Sequence, residues 1–514
     1  MNAKGPPRLI RSFLTVGGWT FASRIMGFVR DVMIAAFLGA GPVAEAFLVA
    51  FSLPNMFRRF FAEGAMNMAF VPMFAKRVEA GDGARDFARD AFTALVTILI
   101  VLTLIAQVAM PALVFLMASG FVADERFELA VLFGRICFPY ILLISLAALL
   151  SGVLNSLERF SAAAAAPVLL NVALVGALWL GDRMGWPPGL TLAWTVPLGG
   201  VAQLTLVWIA AKRAGFAMVP RRPRLTPELR RLAVIAAPAA LAGGVLQVNL
   251  LVGRQVASFF DGAIAWLSYA DRLYQLPLGV VGIAIGVVLL PELSRRLRAE
   301  DGPGGRDALS RAAEFALMLT VPATMAFLVV PGPLVEVLFQ RGAFDAADAR
   351  ATALAVAVYG LGLPAFVLQK VWQPLYYARE DTRTPLRYAI VSLGVNAVVA
   401  IGLAPVVGFI AAAIGTTVAG WAMAFLLIRG ARGMGDAARP DDRFLRRLPR
   451  IALASALMGV CLWLSLWPLA PVLGGPYAAA GVAALVAIGA VSYFGIGHLI
   501  GALSLGQIRR SLRR

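Results

Sequence analysis

Arginines in the middle of long apolar segments are the residues of this sequence best suited to chemistry. Arg24 follows Arg11 by 13 residues, which is about 20 Å along a helix. Arg58, Arg59 and Arg272 also lie well inside apolar runs. An arginine at the centre of a membrane-spanning helix costs about 2.5–3.5 kcal/mol and normally faces a cavity or a partner. These side chains therefore predict a polar site within the apolar part of the protein.

Acidic residues near these arginines are too few to neutralise all of them. The candidates in sequence are Asp31, Glu45, Glu63 and Asp271. A surplus of guanidinium groups in a low-dielectric cavity calls for an anionic ligand, and the planar fork of arginine suits phosphate oxygens. The pattern favours a phosphate-binding role for Arg24, Arg30, Arg58 and Arg272.

Structural salt bridges and snorkelling toward the membrane surface are the alternative explanation for such arginines. We favour it for Arg254 and Lys370, which lie near predicted helix ends, and Arg135 fits either explanation.

The sequence shows no clear motif of an enzyme or of a metal site. The sequence has no phosphate-binding Gly-Lys-Ser/Thr loop, and no His, Cys and carboxylate residues at metal-ligand spacing. Cys137 and Cys461 lie inside apolar runs, and the single histidine, His498, lies near the end of the last run. We therefore expect a protein that is not an enzyme, with no metal and no cofactor.

The elements that must position the arginines are transmembrane helices. The chain has 514 residues, of which 60% are hydrophobic and 14% are charged, and its mean hydropathy is +0.81. A spanning helix needs about 20 apolar residues. Such stretches recur near 12–38, 44–75, 90–119, 128–155, 162–180, 189–211, 232–258, 263–294, 312–335, 351–378, 386–403, 407–428, 451–468 and 476–506. This pattern predicts an all-α polytopic membrane protein with about 14 spans.

Basic residues alternate between the connections of these segments. Of the 46 Lys and Arg, thirty-four lie at the termini and in every second connection, whereas the intervening connections contain only Arg126, Arg183, Arg341 and Arg350. The positive-inside rule then predicts that both termini are cytoplasmic. The net charge of +18 is explained by topology in this way, so we expect no nucleic acid partner.

An internal repeat divides the predicted helices. Phe47 and Trp266 lie at matching places, as do Lys76 and Arg295, and each pair is 219 positions apart. Parallel six-helix repeats are typical of secondary carriers. We expect two six-helix lobes, 1–219 and 220–440, followed by two further helices in 441–514.

Several sequence motifs span nearly the whole chain: SRIMGFVRD at 23–31, EAF at 45–47, LPNMFRRFFAEGA at 53–65, AFVP at 69–72, FPY at 138–140, RFS at 159–161, YADRL at 269–273 and YAREDTRTP at 377–385. Together they closely resemble a known family, the MurJ (MviN) lipid II flippases, within the multidrug/oligosaccharidyl-lipid/polysaccharide (MOP) exporter superfamily.

The resemblance implies a multi-pass bacterial inner-membrane transporter. Its expected substrate is lipid II, the undecaprenyl-pyrophosphate-linked peptidoglycan precursor, moved from the cytoplasmic to the periplasmic leaflet for cell-wall synthesis. It further implies a cationic cavity enclosed by two lobes and a groove for the polyprenyl tail at 441–514. Carried over by position, the substrate-binding residues are Arg24, Arg30, Asp31, Arg58 and Arg272, and the secondary ones are Ser23, Glu45, Arg59, Glu63 and Asp271.

Two positions depart from the family pattern: Glu45 stands where some members have Asp, and Gln275 stands where some have Glu. The sequence does not place the sodium site reported for the second lobe in parts of the family, and Asn396 is named only as one residue that such a site could include. We expect no cofactor, a contribution from the membrane potential or an ion gradient, and contact with membrane lipids and the cell-wall synthesis machinery.

Three alternative functions stay open at this level. They are a flippase for another polyprenyl-linked glycan, a cation-coupled drug exporter, and a membrane scaffold that binds lipid II without transporting it. Surplus basic charge in the predicted cavity disfavours an exporter of cations.

Overall fold

The computed structural model describes residues 6–58, 69–284, 295–296 and 301–502, and within these ranges the regular structure is helical throughout. The chain forms two compact units. The N-terminal unit comprises Met1–Ala265 and Arg341–Phe344, and the C-terminal unit comprises Trp266–Gln340 and Asp345–Arg514. The division into 1–219, 220–440 and 441–514 stays a prediction.

In the described ranges 6–58 and 69–284, the structure contains ten α-helices. They are α1 (Pro6–Leu38), α2 (Pro42–Arg58), α3 (Val71–Ala80), α4 (Ala84–Met117), α5 (Glu125–Cys137), α6 (Tyr140–Ser156), α7 (Ser161–Met184), α8 (Pro188–Arg213), α9 (Pro227–Ala257) and α10 (Ala263–Ala284). A 3₁₀ turn, Ser119–Ala123, precedes α5.

Seven α-helices follow in the described part of the chain after residue 300. They are α11 (Gly302–Val329), α12 (Pro331–Phe339), α13 (Ala346–Tyr377), α14 (Arg383–Val407), α15 (Ile410–Ala431), α16 (Asp442–Leu473) and α17 (Ala478–Leu499). A second 3₁₀ turn, Asp436–Ala438, precedes α16.

Within the residues that the structure describes, ten helical segments are long and apolar enough to cross a bilayer, by length and composition. They are α4, α5 with α6 taken together, α7, α8, α11, α13, α14, α15, α16 with the turn before it, and α17. The prediction of an all-α polytopic membrane protein is confirmed. The four other predicted spans fall on α1, α2, α9 and α10, so the count of 14 stays a prediction.

Two predicted helices are interrupted by proline. The predicted segment 128–155 is divided at Phe138 and Pro139 into α5 and α6. The predicted segment 312–335 ends at Val329, and Pro331 begins α12 at its first position. Proline lacks a backbone N–H and cannot continue the hydrogen-bond pattern of a helix, which explains both breaks. Parts of the predicted segments 44–75 and 263–294 lie outside the described residues.

The N-terminal unit is held together by close helix packing. Helix α1 packs on α7, α2 on α5, and α7 on α8. A side chain at Gly200 would lie 2.7 Å from the ring of Tyr140, and one at Gly189 would lie 2.7 Å from the ring of Phe133. Small residues at such points let helices approach closely, which is how membrane helices gain packing energy.

A short segment from the second half of the sequence completes the N-terminal unit. The amide of Ala343 donates to the carbonyl of Ala36 at 2.8 Å. Gly39 and Gly342 flank this contact at φ of +62° and +59°, and a Cβ at Gly342 would lie 2.2 Å from the same carbonyl. Only glycine fits both the backbone conformation and the space.

The C-terminal unit is built around α11, α13 and α15. Trp372 and Tyr376 of α13 are buried in its core with Leu427 of α15, and the Tyr376 hydroxyl donates to the Leu427 carbonyl at 2.7 Å. Helix α16 packs on both α11 and α17. These helices position Asn396, which is fully buried on α14.

The ends of α6 and α13 share an unusual turn. Glu158 and Glu380 adopt φ of 58° and 59°, and they lie 222 positions apart. In each turn the backbone amide of the residue after this glutamate donates to a carbonyl near the end of the helix. Arg159 N–H donates to the Leu154 carbonyl at 2.9 Å, and Asp381 N–H donates to the Tyr376 carbonyl at 3.0 Å. This is a Schellman cap, where glycine is usual. The shared geometry is a local likeness between the two halves of the sequence.

Candidate substrate-binding site

Arg30 is a buried arginine, and each of its three guanidinium nitrogens donates a hydrogen bond. It lies on α1 with 7% of its surface exposed. Its Nε and Nη2 donate to Asp31 Oδ1 at 2.9 and 2.7 Å, and its Nη1 donates to Asn171 Oδ1 at 2.9 Å. The ring of Phe51 lies beside it, with the centroid 5.7 Å from Cζ. A buried charge requires such partners, because an unpaired one is strongly unfavourable.

Asn171 fixes this network to the backbone. Its Nδ2 donates to the carbonyls of Ser23 at 3.2 Å and Pro167 at 3.4 Å. The side chain therefore joins α7 to α1 while it accepts from Arg30. This residue was not among those predicted from the sequence. It is an isolated amide in the apolar run of α7, and such a residue could have been noticed because polar residues within spanning helices tend to face the protein interior and to be functional.

Arg24 and Ser23 lie on the same helix but in a different environment. Arg24 is exposed and Ser23 is half-buried. Arg24 and Arg30 are six positions apart, so on a regular helix their side chains point about 120° apart. The structure therefore does not gather these two arginines into one cluster.

Arg58 is the last residue of α2 and is half-buried. Arg59 and Glu63, the secondary residues that follow it, lie outside the described residues. Their predicted roles stay predictions.

Glu45 pairs with Arg126 of α5, and not with one of the arginines within the apolar segments that the sequence suggested. It is 1% exposed, and its Oε2 accepts from Arg126 Nη1 at 2.9 Å. Its Oε1 accepts from the backbone amide of Ile264 at 2.9 Å. The expectation that Glu45 helps to neutralise the arginines within the apolar segments is therefore wrong, because Arg126 of α5 takes its charge.

Arg126 lies at the centre of an acidic cluster. It pairs with Asp124 Oδ2 at 2.6 Å and with Asp261 Oδ1 at 2.9 Å, besides Glu45. Its Cζ lies 4.6 Å from the ring centroid of Phe121. Its hydrogen bond holds the pKa of the Asp124 carboxyl below the ordinary value. Three carboxylates around one guanidinium form a structural ion-pair network, in which every guanidinium nitrogen already has a carboxylate partner.

Asp271 and Arg272 lie on α10 in the C-terminal unit. Arg272 is exposed and Asp271 is half-buried. The side chain of Gln275, one turn later, donates to Asp271 Oδ2. The glutamine that stands in place of a family glutamate therefore serves as a donor to the neighbouring carboxylate, a contact that a glutamate would lack at neutral pH.

Asn396, the sodium candidate, packs against a glycine of the next helix. A Cβ at Gly415 would lie 2.7 Å from Asn396 Oδ1. The close approach brings α14 and α15 together at this buried amide.

Comparison with known proteins identifies the family. The family model for lipid II flippase MurJ matches residues 34–468, which is most of the chain. The chain belongs to the MurJ family of lipid II flippases. It is therefore a multi-pass membrane transporter rather than an enzyme, as the sequence analysis predicted.

Curated relatives match over nearly the whole chain. A probable lipid II flippase MurJ of Rhizobium meliloti is 45% identical over 517 residues, covering 98% of this chain and 96% of the relative. A lipid II flippase MurJ of Burkholderia cenocepacia is 35% identical and covers 88% of this chain and 90% of the relative.

Solved structures of the same fold agree with this assignment. A structure of lipid II flippase MurJ in an inward closed conformation has a TM-score of 0.79 at 23% identity, covering 97% of this chain and 99% of that chain. An inward-facing multidrug resistance MATE family transporter of the MOP superfamily has a TM-score of 0.67 at 14% identity, covering 81% of this chain and 95% of that chain. The predicted MOP architecture is confirmed at the level of the fold.

Proposed function

We propose that this chain is the lipid II flippase of its cell. It moves the undecaprenyl-pyrophosphate-linked peptidoglycan precursor from the cytoplasmic to the periplasmic leaflet. The observation that supports this most directly is the family match over residues 34–468. The two relatives described above are named as a probable lipid II flippase and a lipid II flippase.

The diphosphate of the substrate is bound, in this proposal, by Arg24, Arg30, Arg58 and Arg272, with Asp31 beside Arg30. Guanidinium groups bind phosphate oxygens through two parallel N–H donors, so they suit a diphosphate better than lysine does. Arg30 is already oriented by Asp31 and Asn171, whereas Arg24 is exposed and accessible to a ligand. The secondary residues are Ser23, Glu45, Arg59, Glu63 and Asp271. Among these, we assign Glu45 to maintaining structure through Arg126.

Transport follows alternating access with 14 spanning helices and both termini in the cytoplasm. The headgroup is bound from the cytoplasmic side and released on the periplasmic side while the polyprenyl tail stays in lipid. Moving one charge across the membrane potential is worth about 2.3 kcal/mol per 100 mV. The potential therefore helps to return a positively charged empty carrier, without ATP hydrolysis by this chain.

The polyprenyl tail is assigned to the region 441–514, where α16 and α17 pack on each other. Two tryptophans near the end of α16, Trp463 and Trp467, are 64% and 91% exposed. Exposed tryptophans mark the membrane interface, and such a surface suits an isoprenoid chain. Enzymes that make and polymerise lipid II are the expected neighbours in the membrane.

Leaflet-resolved labelling of lipid II tests the proposal in cells depleted of the native flippase. Cells that express Arg24→Ala, Arg272→Ala or Arg58→Glu should accumulate lipid II in the cytoplasmic leaflet and fail to grow, because the diphosphate loses its donors. Arg183→Gln is the matched control, since Arg183 stacks on Trp179 at the end of α7 and should support normal growth.

Membrane levels of each variant, measured by immunoblot, separate loss of transport from loss of protein. Normal growth and normal periplasmic lipid II with all three variants at wild-type levels would contradict the proposal. That result would show that translocation does not depend on these arginines.

A further inference from the structure

The connection between α8 and α9 is anchored against α4. The indole Nε1 of Trp208 donates to the Met218 carbonyl at 2.9 Å, and Arg89 Nε donates to the Val219 carbonyl at 3.0 Å. Arg221 pairs with Asp90 at 2.5 Å and with Asp86 at 3.2 Å. Pro220 and Pro223 also restrict the backbone on both sides of Arg221, so the backbone of this stretch is held against α4.

Four arginines of this stretch do not stabilise the fold through polar side-chain contacts with the described residues. They are all exposed, and none of them forms an ion pair or a side-chain hydrogen bond with the described residues: Arg222, Arg224, Arg230 and Arg231. The acid nearest in sequence, Glu228, is engaged by Arg77 at 3.5 Å. The region therefore carries positive charge that nothing in the described structure neutralises.

A second basic stretch shows that this fold can supply acids to such arginines. In the region 429–450, Arg439 pairs with Asp436, and both Arg443 and Arg447 pair with Glu314. The four arginines between 222 and 231 have no such acidic partner in the part of the chain that the structure describes.

Apolar side chains accompany these arginines on the same surface. Leu225 is 89% exposed and Val234 is 67% exposed. With Thr226, Pro227, Arg230 and Arg231, they line a shallow groove of about 520 Å³. A leucine left almost fully exposed beside unpaired arginines is unfavourable in water, but it suits the boundary between lipid headgroups and acyl chains.

We propose that this groove, formed by Leu225, Thr226, Pro227, Arg230, Arg231 and Val234, binds the headgroup of an anionic glycerophospholipid of the adjacent leaflet. Arg230 and Arg231 contact the phosphate, while Leu225 and Val234 contact the glycerol and the first acyl carbons. Basic pockets beside spanning helices are known to take such headgroups. The site lies away from Arg24, Arg30, Arg58 and Arg272 in sequence, and it does not depend on which substrate the chain transports.

Photocrosslinking tests the site with the full-length protein in phosphatidylcholine nanodiscs. A small fraction of phosphatidylglycerol carries a diazirine on its headgroup, and labelled peptides are mapped by mass spectrometry. We expect labelling within 219–235, and a loss of about tenfold or more in the Arg230→Gln/Arg231→Gln variant. Each arginine near an anionic surface contributes about fivefold to binding. Leu225→Ser should reduce labelling by a smaller factor.

Matched variants separate this site from general attraction of anionic lipid. Arg383→Gln/Arg387→Gln removes two exposed arginines from the first turns of α14 and should leave labelling of 219–235 unchanged. Arg230→Lys/Arg231→Lys keeps the charge and should retain most of the labelling. A shift in the thermal unfolding midpoint reports any variant that does not fold, in which case the lysine pair and Leu225→Ser decide the result.

Three outcomes would overturn the proposal. The first is equal labelling of 219–235 by a phosphatidylcholine probe of the same design. The second is undiminished labelling of the arginine-to-glutamine variant. The third is full competition by soluble glycerol phosphate at equal concentration, which would indicate a site for free phosphate rather than for a lipid.

Discussion

Two arginine-centred clusters of the N-terminal unit, around Arg30 and around Arg126, are both buried but differ in charge balance. Arg30 has one carboxylate partner and one amide partner, Asp31 and Asn171. Arg126 has three carboxylate partners, Glu45, Asp124 and Asp261. The first cluster is formally neutral, whereas the second carries an excess of negative charge. Burial is alike in both, so the number and kind of partners is what separates them.

The difference assigns different roles to the two clusters. An excess of carboxylate repels a diphosphate, so the Arg126 cluster is suited to holding α2, α5 and the start of α10 in place. The amide partner of Arg30 fixes its orientation without adding negative charge. Of the two clusters, the one around Arg30 is therefore the better suited to the anionic substrate that we propose.

Removal of Arg126 should have the largest effect on stability. In Arg126→Gln, the carboxylate of Glu45 stays buried without its guanidinium, which typically costs about 3–5 kcal/mol. We expect a much lower thermal unfolding midpoint in detergent and reduced protein in the membrane. The measurement is a melting curve of the purified full-length protein beside Arg183→Gln, which should match wild type.

A double variant sharpens this result. In Glu45→Gln/Arg126→Gln the buried charge is gone, and the glutamine oxygen can still accept from the Ile264 amide. The double variant should therefore recover much of the stability that the single variant loses. If Arg126→Gln alone melts like wild type, the cluster does not hold the helices as described.

Loss of the amide at Asn171 should have a smaller effect on stability and a clear effect on transport. Asn171→Leu leaves Arg30 Nη1 without its acceptor, and a buried donor without a partner costs about 1–3 kcal/mol. We expect about a tenfold drop in the rate of lipid II translocation by reconstituted protein, because Arg30 loses its orientation. Asn171→Asp retains the acceptor but adds negative charge, so its translocation rate should also fall while its stability holds better.

A neighbouring control distinguishes orientation of Arg30 from general damage to α7. Val172 is 47% exposed on the same helix, and Val172→Leu should transport at the wild-type rate. Equal rates for Asn171→Leu and Val172→Leu would show that Asn171 has no part in positioning Arg30.

Neutralisation of Asp124 should have the smallest effect. Asp124→Asn keeps an N-cap for α5, since asparagine caps helices as well as aspartate does. It removes a partly exposed charge and should cost about 0.5 kcal/mol at pH 7. The pKa of Asp124 is lowered in the folded protein, so its contribution is present above about pH 4, the ordinary aspartate pKa, and disappears as the pH falls through the lowered value.

Melting curves of wild type and Asp124→Asn at a series of pH values measure this directly. The difference between the two proteins should be constant near neutral pH and should vanish under strongly acid conditions. A difference that grows on acidification would mean that Arg126 does not stabilise the charged form of Asp124.

The fold was largely predictable because spanning helices leave a strong signal. Runs of about 20 apolar residues and the alternation of basic connections located α4, α7, α8, α14 and α15 within a few residues. The break before α12 was not predicted. The hydropathy along a spanning segment stays high even where Pro139 or Pro331 interrupts the helical hydrogen bonds, so hydropathy alone does not locate the break.

The candidate site was predictable in its arginines but not in their partners. Sequence position places Arg30 beside Asp31, but it does not show that Asn171, 141 positions later, supplies the third hydrogen bond. Likewise, Arg126 was counted only as one of four basic residues in the sparsely charged connections. Pairings over such separations depend on which helices pack together, and periodicity along one helix carries no information about that.

The backbone contact between Ala343 and Ala36 has a consequence for how the molecule can be divided. Four residues that the ribosome adds late in synthesis, Arg341–Phe344, belong to the unit formed by the first 265 residues. A fragment that stops at Ala265 would lack them, and the carbonyl of Ala36 would lose its amide donor. The N-terminal unit therefore reaches its final form only after most of the chain has been made, and a split version of this protein has to supply that loop from the second piece.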